Sequence, residues 1–199
     1  VTVLRRFAEE DRIREHIVAY PSRGRFPGHY LRESQVFSSR LLDAYLQLEE
    51  RFDFIYAQGQ CGLAFVTAKQ NGLKLPAIGV NIHGFEMFQP VADLRSLLAK
   101  KMVQPRFRYL LENADYVLSF PGKIREIAEK TLGIDGTRII ETYNGIPEDW
   151  IRTEAPTRRD LIRFVYVGRF ERRKGLPELF RAIQLNRDLD FEFHFVGPI

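Results

Sequence analysis

The residues best suited to chemistry stand at 168–175, Gly-Arg-Phe-Glu-Arg-Arg-Lys-Gly. Arg169 and Lys174 set two cations close together; arginine offers a planar fork to phosphate oxygens and lysine a point charge. The glycines on either side, Gly168 and Gly175, allow a turn whose backbone N–H groups are unpaired, and a helix start beyond it adds the positive end of a dipole. That set suits a diphosphate. It also describes a strand–helix turn whose charges are merely solvated. A second set is His83, Gly84 and Glu86, an imidazole and a carboxylate three residues apart. No second histidine stands at helical ligand spacing from His83, and the single cysteine, Cys61, excludes a thiolate zinc cluster, so no metal is expected.

These residues need strands and helices to hold them. The apolar run 164–167 predicts a buried strand closed by Gly168, and LPELFRAI predicts a helix from Leu176, with Pro177 where a first turn tolerates it, to about Leu185. A strand follows at 191–196. Upstream, 76–81 predicts the strand that delivers His83 at its carboxyl end, the ligand edge of a parallel sheet; a structural histidine is the other reading. Around it, 52–57 reads as a buried strand, 58–62 as a turn, and the helix after it ends at Asn71-Gly72. Residues 116–120 form another strand that places Ser119 near its end. Pro121-Gly122 turns into a helix that begins at Lys123 and stops at Gly133, and 138–143 is the last strand of this domain.

Nearer the start, 1–5 reads as a short strand, 6–15 as a charged connector or short helix, and 16–20 as a strand ending at Pro21. Residues 22–30, with Gly24, Pro27 and Gly28, then form a loop at a strand's carboxyl end that carries Arg23 and Arg25; 32–51 reads as a covering helix. The strand, loop, helix rhythm predicts an α/β fold with a parallel sheet, right-handed crossovers and helices on both faces.

The segment GRFERRKG resembles the signature that opens the C-terminal domain of GT-B glycosyltransferases in the large retaining family four. Tyr143-Asn144-Gly145-Ile146 and His83-Gly84-Phe85-Glu86 are similar to two further landmarks of that family, in the same order. The family's aspartate after Asn-Gly and an apolar residue is replaced here by Pro147, with Glu148 and Asp149 behind it. The resemblance implies two Rossmann-like domains facing each other across a cleft. Residues 1–150 would be the acceptor-side domain without its first strand, 151–160 a linker, and 161–199 the beginning of the nucleotide-sugar domain. The family's glycine loop would precede Val1 and its glutamate pair would follow Ile199, so the sequence is expected to be a fragment and by itself a poor catalyst.

The implied reaction moves a sugar from a nucleotide diphosphate sugar to a sugar, glycan or lipid-linked acceptor. It proceeds with retention, in the manner of a hexosyltransferase, without metal or cofactor. His83 would line the donor sugar as the catalytic residue. Gly168, Arg169, Lys174 and Gly175, with Ser119, Asn144 and Gly145, would bind the donor, while Glu86, Arg23 and Arg25 face the acceptor. A nucleotide-sugar binding or epimerase-like GT-B protein is the alternative; it would want acidic catalytic residues in the N-terminal crevice.

Composition sets the bounds. The 199 residues suffice for one large or two small domains, and 45% hydrophobic with 28% charged residues is globular composition. A net charge of +4 and a pI near 9.3 admit anionic partners. Nucleic acid is not expected, because the charge is not concentrated among exposed aromatics. The basic stretch 94–108 also carries Leu94, Leu97, Leu98, Met102 and Val103. As an amphipathic helix it could rest on acidic headgroups, with Pro105 expected to break or restart it. One cysteine and no spanning segment suit the cytoplasm, at or away from the inner face of a membrane.

Overall fold

The computed structural model describes residues 13–26, 28–89, 94–151 and 161–198, with the side chains of 95, 96 and 173 outside the description. The expected strand at 1–5 and the linker, apart from Ile151, lie outside the described residues. The chain divides into two compact units, Val1–Asn144 and Gly145–Ile199.

In the first unit, helix α1 (His29–Leu46) starts earlier than its apolar pattern suggested, because Gly28 takes a left-handed conformation (φ 80°) and its carbonyl accepts the Leu31 N–H at 2.9 Å. It also ends earlier, the last turn tightening where Leu48 N–H reaches Tyr45 O at 3.1 Å. The strand expected at 16–20 does not form. Residues 13–24 take no regular secondary structure. The segment is held to α1 by side chains instead, Tyr20 packing on Phe37 with ring centroids 4.8 Å apart and Arg40 donating to Ala19 O at 3.0 Å.

Four short parallel strands make the sheet: β1 (Phe54–Gln58), β2 (Ala77–Asn81), β3 (Tyr116–Ser119) and β4 (Ile139–Glu141), in the order β1-β2-β3-β4. They are joined by α2 (Leu63–Gln70), α3 (Leu94–Asn113) and α4 (Lys123–Glu126), the last running on as a π-helix at Ile127–Thr131. When strand order follows chain order, right-handed crossovers send every connecting helix to one face. Burial agrees: Ile78, Val80, Val117 and Ile139 pack with Phe65, Val66, Leu110, Leu111 and Ala128 in one cluster. On the opposite face, Phe54, Tyr56 and Ile140 are exposed. Strand β1 was expected to be buried; it is an edge strand among the described residues, with only Ala57 inside.

Helix α3 runs through Pro105 without a break, contrary to expectation. Proline has no N–H for the carbonyl four residues back, a defect of about 3 kcal/mol in a helix interior. Here the turns on both sides are tied down. Leu110 and Leu111 are fully buried, Gln104 donates to Met87 O at 2.7 Å and Arg106 to Gln35 Oε1 at 2.9 Å. At the far end Arg138 donates to the carbonyls of Leu111 at 3.1 Å, Glu112 at 3.0 Å, Asp115 at 3.3 Å, and also Ala114, satisfying groups that a helix terminus leaves open. Asp115 then fastens the amino ends of β2 and β3, accepting from Lys69 Nζ and from the Ile78 N–H, each at 2.7 Å. Partial burial works to raise its pKa, but the Lys69 ammonium and the Ile78 N–H prevail and hold the carboxyl below its ordinary value.

The second unit pairs β5 (Ile162–Val167) with β6 (Phe191–Val196), parallel and in register from Ile162↔Phe191 to Val167↔Val196, joined by α5 (Leu176–Leu185). Strand β5 was also expected to be buried. Its residues are largely exposed, Val167 at 73%, because a two-stranded sheet under a single helix encloses little. Aromatic stacking ties the unit together: Phe164 on its cross-strand partner Phe193 at 5.7 Å within the sheet, and Phe180 of α5 on Phe195 at 5.1 Å between helix and sheet.

Candidate functional sites

The turn between β5 and α5 is built in three steps. Gly168 leaves the strand with φ 155° and donates its N–H to Val196 O at 2.9 Å. A Cβ at Gly197 would lie 2.0 Å from Gly168 O, so the two strand exits touch and Gly197 has no room for a side chain. Phe170 then stacks on Tyr166 at 6.1 Å, and the Tyr166 hydroxyl donates to Arg169 O at 2.8 Å, fixing the backbone between them. Last, Arg172–Lys174 forms a 3-10 turn closed by Gly175 at φ 74°.

The Gly175 N–H is bonded to Arg172 O at 3.0 Å, so the expected donor at Gly175 is already engaged. The first helical bond of α5 is Leu179 N–H to Gly175 O at 2.9 Å and no side chain caps the start, which leaves the N–H groups of Leu176 and Glu178 without a partner among the described residues, Pro177 having none. Arg169 is exposed and pairs with Glu171 Oε1 at 3.0 Å, a partner that the sequence did not suggest. Lys174 is exposed and makes no ion pair among the described residues. An incoming anion would compete with Glu171 for Arg169. Exposed pairs are worth about 0–1 kcal/mol, a small obstacle.

In the first unit, His83 follows the carboxyl end of β2, and its ring lies stacked on Phe120, just past β3, with centroids 5.9 Å apart and planes 22° apart. The imidazole is exposed but oriented. Glu86 opens the 3-10 turn Glu86–Phe88, anchored by the fully buried Phe85, and its carboxylate folds over Gly84, where a Cβ would come 2.8 Å from Oε1. Ser119 is fully buried; its hydroxyl donates to Phe120 O at 3.0 Å and its carbonyl accepts the Thr142 N–H at 3.0 Å. It braces the strand end. Asn144 and Gly145 are exposed beyond β4, on either side of the division between the units, and among the described residues nothing lies within 4 Å of a Cβ built on Gly145.

Sequence reasoning missed a polar floor at this edge. Asn81 donates to the Tyr56 hydroxyl at 2.6 Å, which donates to Gln58 Oε1 at 3.2 Å, while Asn81 Oδ1, Gln60 Oε1 and Thr142 Oγ1 are buried without a protein partner among the described residues. The signal was there: polar residues sit at or just past the ends of β1, β2 and β4.

Arg23 and Arg25 are exposed on the loop before α1, and with Gly24 and His29 they line an open cavity of about 520 Å³. No strand precedes that loop among the described residues, so the expected strand-end placement does not hold there. In the basic stretch, Lys100 donates to Gln89 O at 2.6 Å and Arg108 to Glu112 Oε1 at 3.1 Å, while Arg106 is held on α1. Among the described residues no three histidine, cysteine, aspartate or glutamate side chains cluster, and no helix is long and apolar enough to cross a membrane.

No protein-family model matches the chain, and no curated protein matches it. Among solved structures, it is similar to the catalytic domain of starch synthase IV from Arabidopsis thaliana bound to ADP and acarbose. The TM-score is 0.53 at 17% identity, over 88% of this chain and 48% of that one. The chain thus spans about half the length of that structure. At such identity the likeness is one of fold, and the fold is α/β of the GT-B type.

Proposed function

We propose that this chain is part of a retaining, metal-independent glycosyltransferase that takes its sugar from a nucleotide diphosphate donor. The observation that carries the reading is the turn at 168–175: two exposed cations and two open helix N–H groups ahead of an uncapped α5, on a fold shared with a protein bound to ADP and acarbose. As the glycosidic bond loosens, negative charge gathers on the departing nucleoside diphosphate. Lys174, Arg169 released from Glu171, and the N–H groups of Leu176 and Glu178 stabilise that charge, the electrostatic role that a metal ion fills in other transferases. His83, held on Phe120, contacts the donor sugar, and Glu86 with Arg23 and Arg25 faces the acceptor. The exposed face of α3 rests near a membrane on the cytoplasmic side.

The test is a thermal-shift screen of nucleoside diphosphates against the corresponding monophosphates, with Arg169→Ala and Lys174→Ala as comparison. Diphosphates are expected to stabilise the parent chain and not the variants. In a transfer assay of the complete enzyme Lys174→Ala is expected to lower turnover at least about tenfold, since one lost transition-state contact is worth a few kcal/mol. Equal stabilisation of parent and variants would remove the turn from the donor site.

A further inference from the structure

The loop ahead of α1 is built around a carboxylate with little access to water. Glu33, on the first turns of α1, is only 8% exposed, yet its Oε1 accepts the Gly24 N–H and lies 2.9 Å from His29 Nδ1. Burying a carboxylate is unfavourable unless donors surround it. Here the Gly24 N–H, then His29 and the charge of Arg23, outweigh burial and hold the Glu33 carboxyl below its usual range. Gly24 itself is pressed onto the helix, where a Cβ would lie 2.8 Å from His29 Cβ. Gly24 therefore has a defined seat on α1.

What that seat displays is Arg23 and Arg25, on either side of Gly24 and both exposed, over the cavity of about 520 Å³ that they line with Gly24 and His29. Three of its four lining residues can carry positive charge, and the carboxylate beneath is already engaged by Gly24 and His29. Flexible surface arginines need no such foundation. Two arginines carried by a backbone anchored between them suit a multidentate anion, and a phosphate group presents oxygens that two guanidinium forks can share.

We propose that this cavity binds the phosphate group of a ligand of the first unit, with Arg23 and Arg25 as forked donors and His29 closing the third side. If the glycosyltransferase reading holds, that ligand is the acceptor, and the acceptor is a phosphate ester. The group can come from a soluble ester or a lipid headgroup. Met102 of α3 faces the loop, its Cε 3.1 Å from a Cβ built on Gly28, and with Leu94 and Leu98 it forms an exposed apolar row at helical spacing, so a place for an acyl chain adjoins the cavity.

The experiment uses the full chain carrying Arg169→Ala and Lys174→Ala, so that phosphate at the 168–175 turn does not register. Calorimetric titration with inorganic phosphate, at constant ionic strength against chloride, is expected to show one site. Adding Arg23→Ala and Arg25→Ala is expected to weaken it at least about tenfold, without lowering the unfolding temperature. A second arm floats the protein with phosphatidylcholine vesicles, with and without phosphatidic acid. Vesicle binding that needs both phosphatidic acid and the two arginines identifies a lipid source; phosphate binding without vesicle binding identifies a soluble one. The proposal is overturned if neither probe binds, or if the quadruple variant binds as tightly as its parent. Because the donor-turn cations are already gone, that failure leaves nucleotide binding to its own test.

Discussion

Ser38→Ala removes one oxygen from the middle of the first unit and should unsettle the whole of it. Ser38 is fully buried in α1; its hydroxyl donates to Cys61 O at 2.7 Å and accepts the Ala64 N–H at 2.8 Å. Ala64 stands in the first turn of α2, where the helix offers its N–H no acceptor. The substitution thus orphans a donor and an acceptor at once, at about 1–3 kcal/mol for each buried group. Cys61 is half-exposed, so water can reach its carbonyl in part, and the expected loss is about 3 kcal/mol. For a domain of this size that lowers the melting temperature by roughly 6–12 °C. Thermal and urea unfolding, followed by the far-ultraviolet signal, measure it. Ser34→Ala is the control on the same helix: that hydroxyl is exposed and donates to Tyr30 O at 2.6 Å, so its loss should stay within about 0.5 kcal/mol. If the two variants unfold alike, the Ser38 hydroxyl does not join α1 to the turn after β1.

Asp115→Asn should destabilise by roughly 1–2 kcal/mol at neutral pH, less than a buried charge would, because the side chain is 36% exposed. The Asp115 carboxyl sits below its ordinary value in the folded chain, so its contribution is present above the unfolded value and lost as pH falls through the folded one. The gap between parent and variant in urea titrations should therefore close on acidification; a gap independent of pH would refute the ion pair with Lys69. Gly197→Ala should cost at least about 2 kcal/mol, because a Cβ would stand 2.0 Å from a backbone oxygen and the strand exits must separate. Diphosphate-induced stabilisation should weaken with it, and an unchanged thermal shift would detach that contact from the turn.

The second unit was more legible than the first. Its helix and second strand begin and end where apolar spacing, Pro177 and Gly175 place them, because each boundary is written locally. Burial was less legible. Strands β1 and β5 are apolar enough to read as interior, yet burial depends on which layers cover them, which is tertiary information. Pro105 shows the same limit: propensity ends a helix there, and packing of Leu110 and Leu111 carries it through. Site residues followed the pattern. The place of His83 after a strand was legible, but the neighbours of these candidate residues, Phe120 beside His83 and Glu171 beside Arg169, are fixed by folded geometry.

Those partners bear on whether exposed groups can serve as the proposed site. A solvated lysine or histidine samples many rotamers and must be ordered by its ligand, at about 0.5–1.5 kcal/mol per side chain. The backbone beneath Arg169 is pinned by the Tyr166 hydroxyl and the Phe170 stack, and the His83 ring lies flat on Phe120. In both units an aromatic residue at or beside a strand end supplies the rigidity, and the polar group rides on it. The backbone of the turn and the His83 ring are thus placed before a ligand arrives, while the Lys174 side chain is left for the ligand to order; on the proposed reading, that share of binding free energy can act on developing charge.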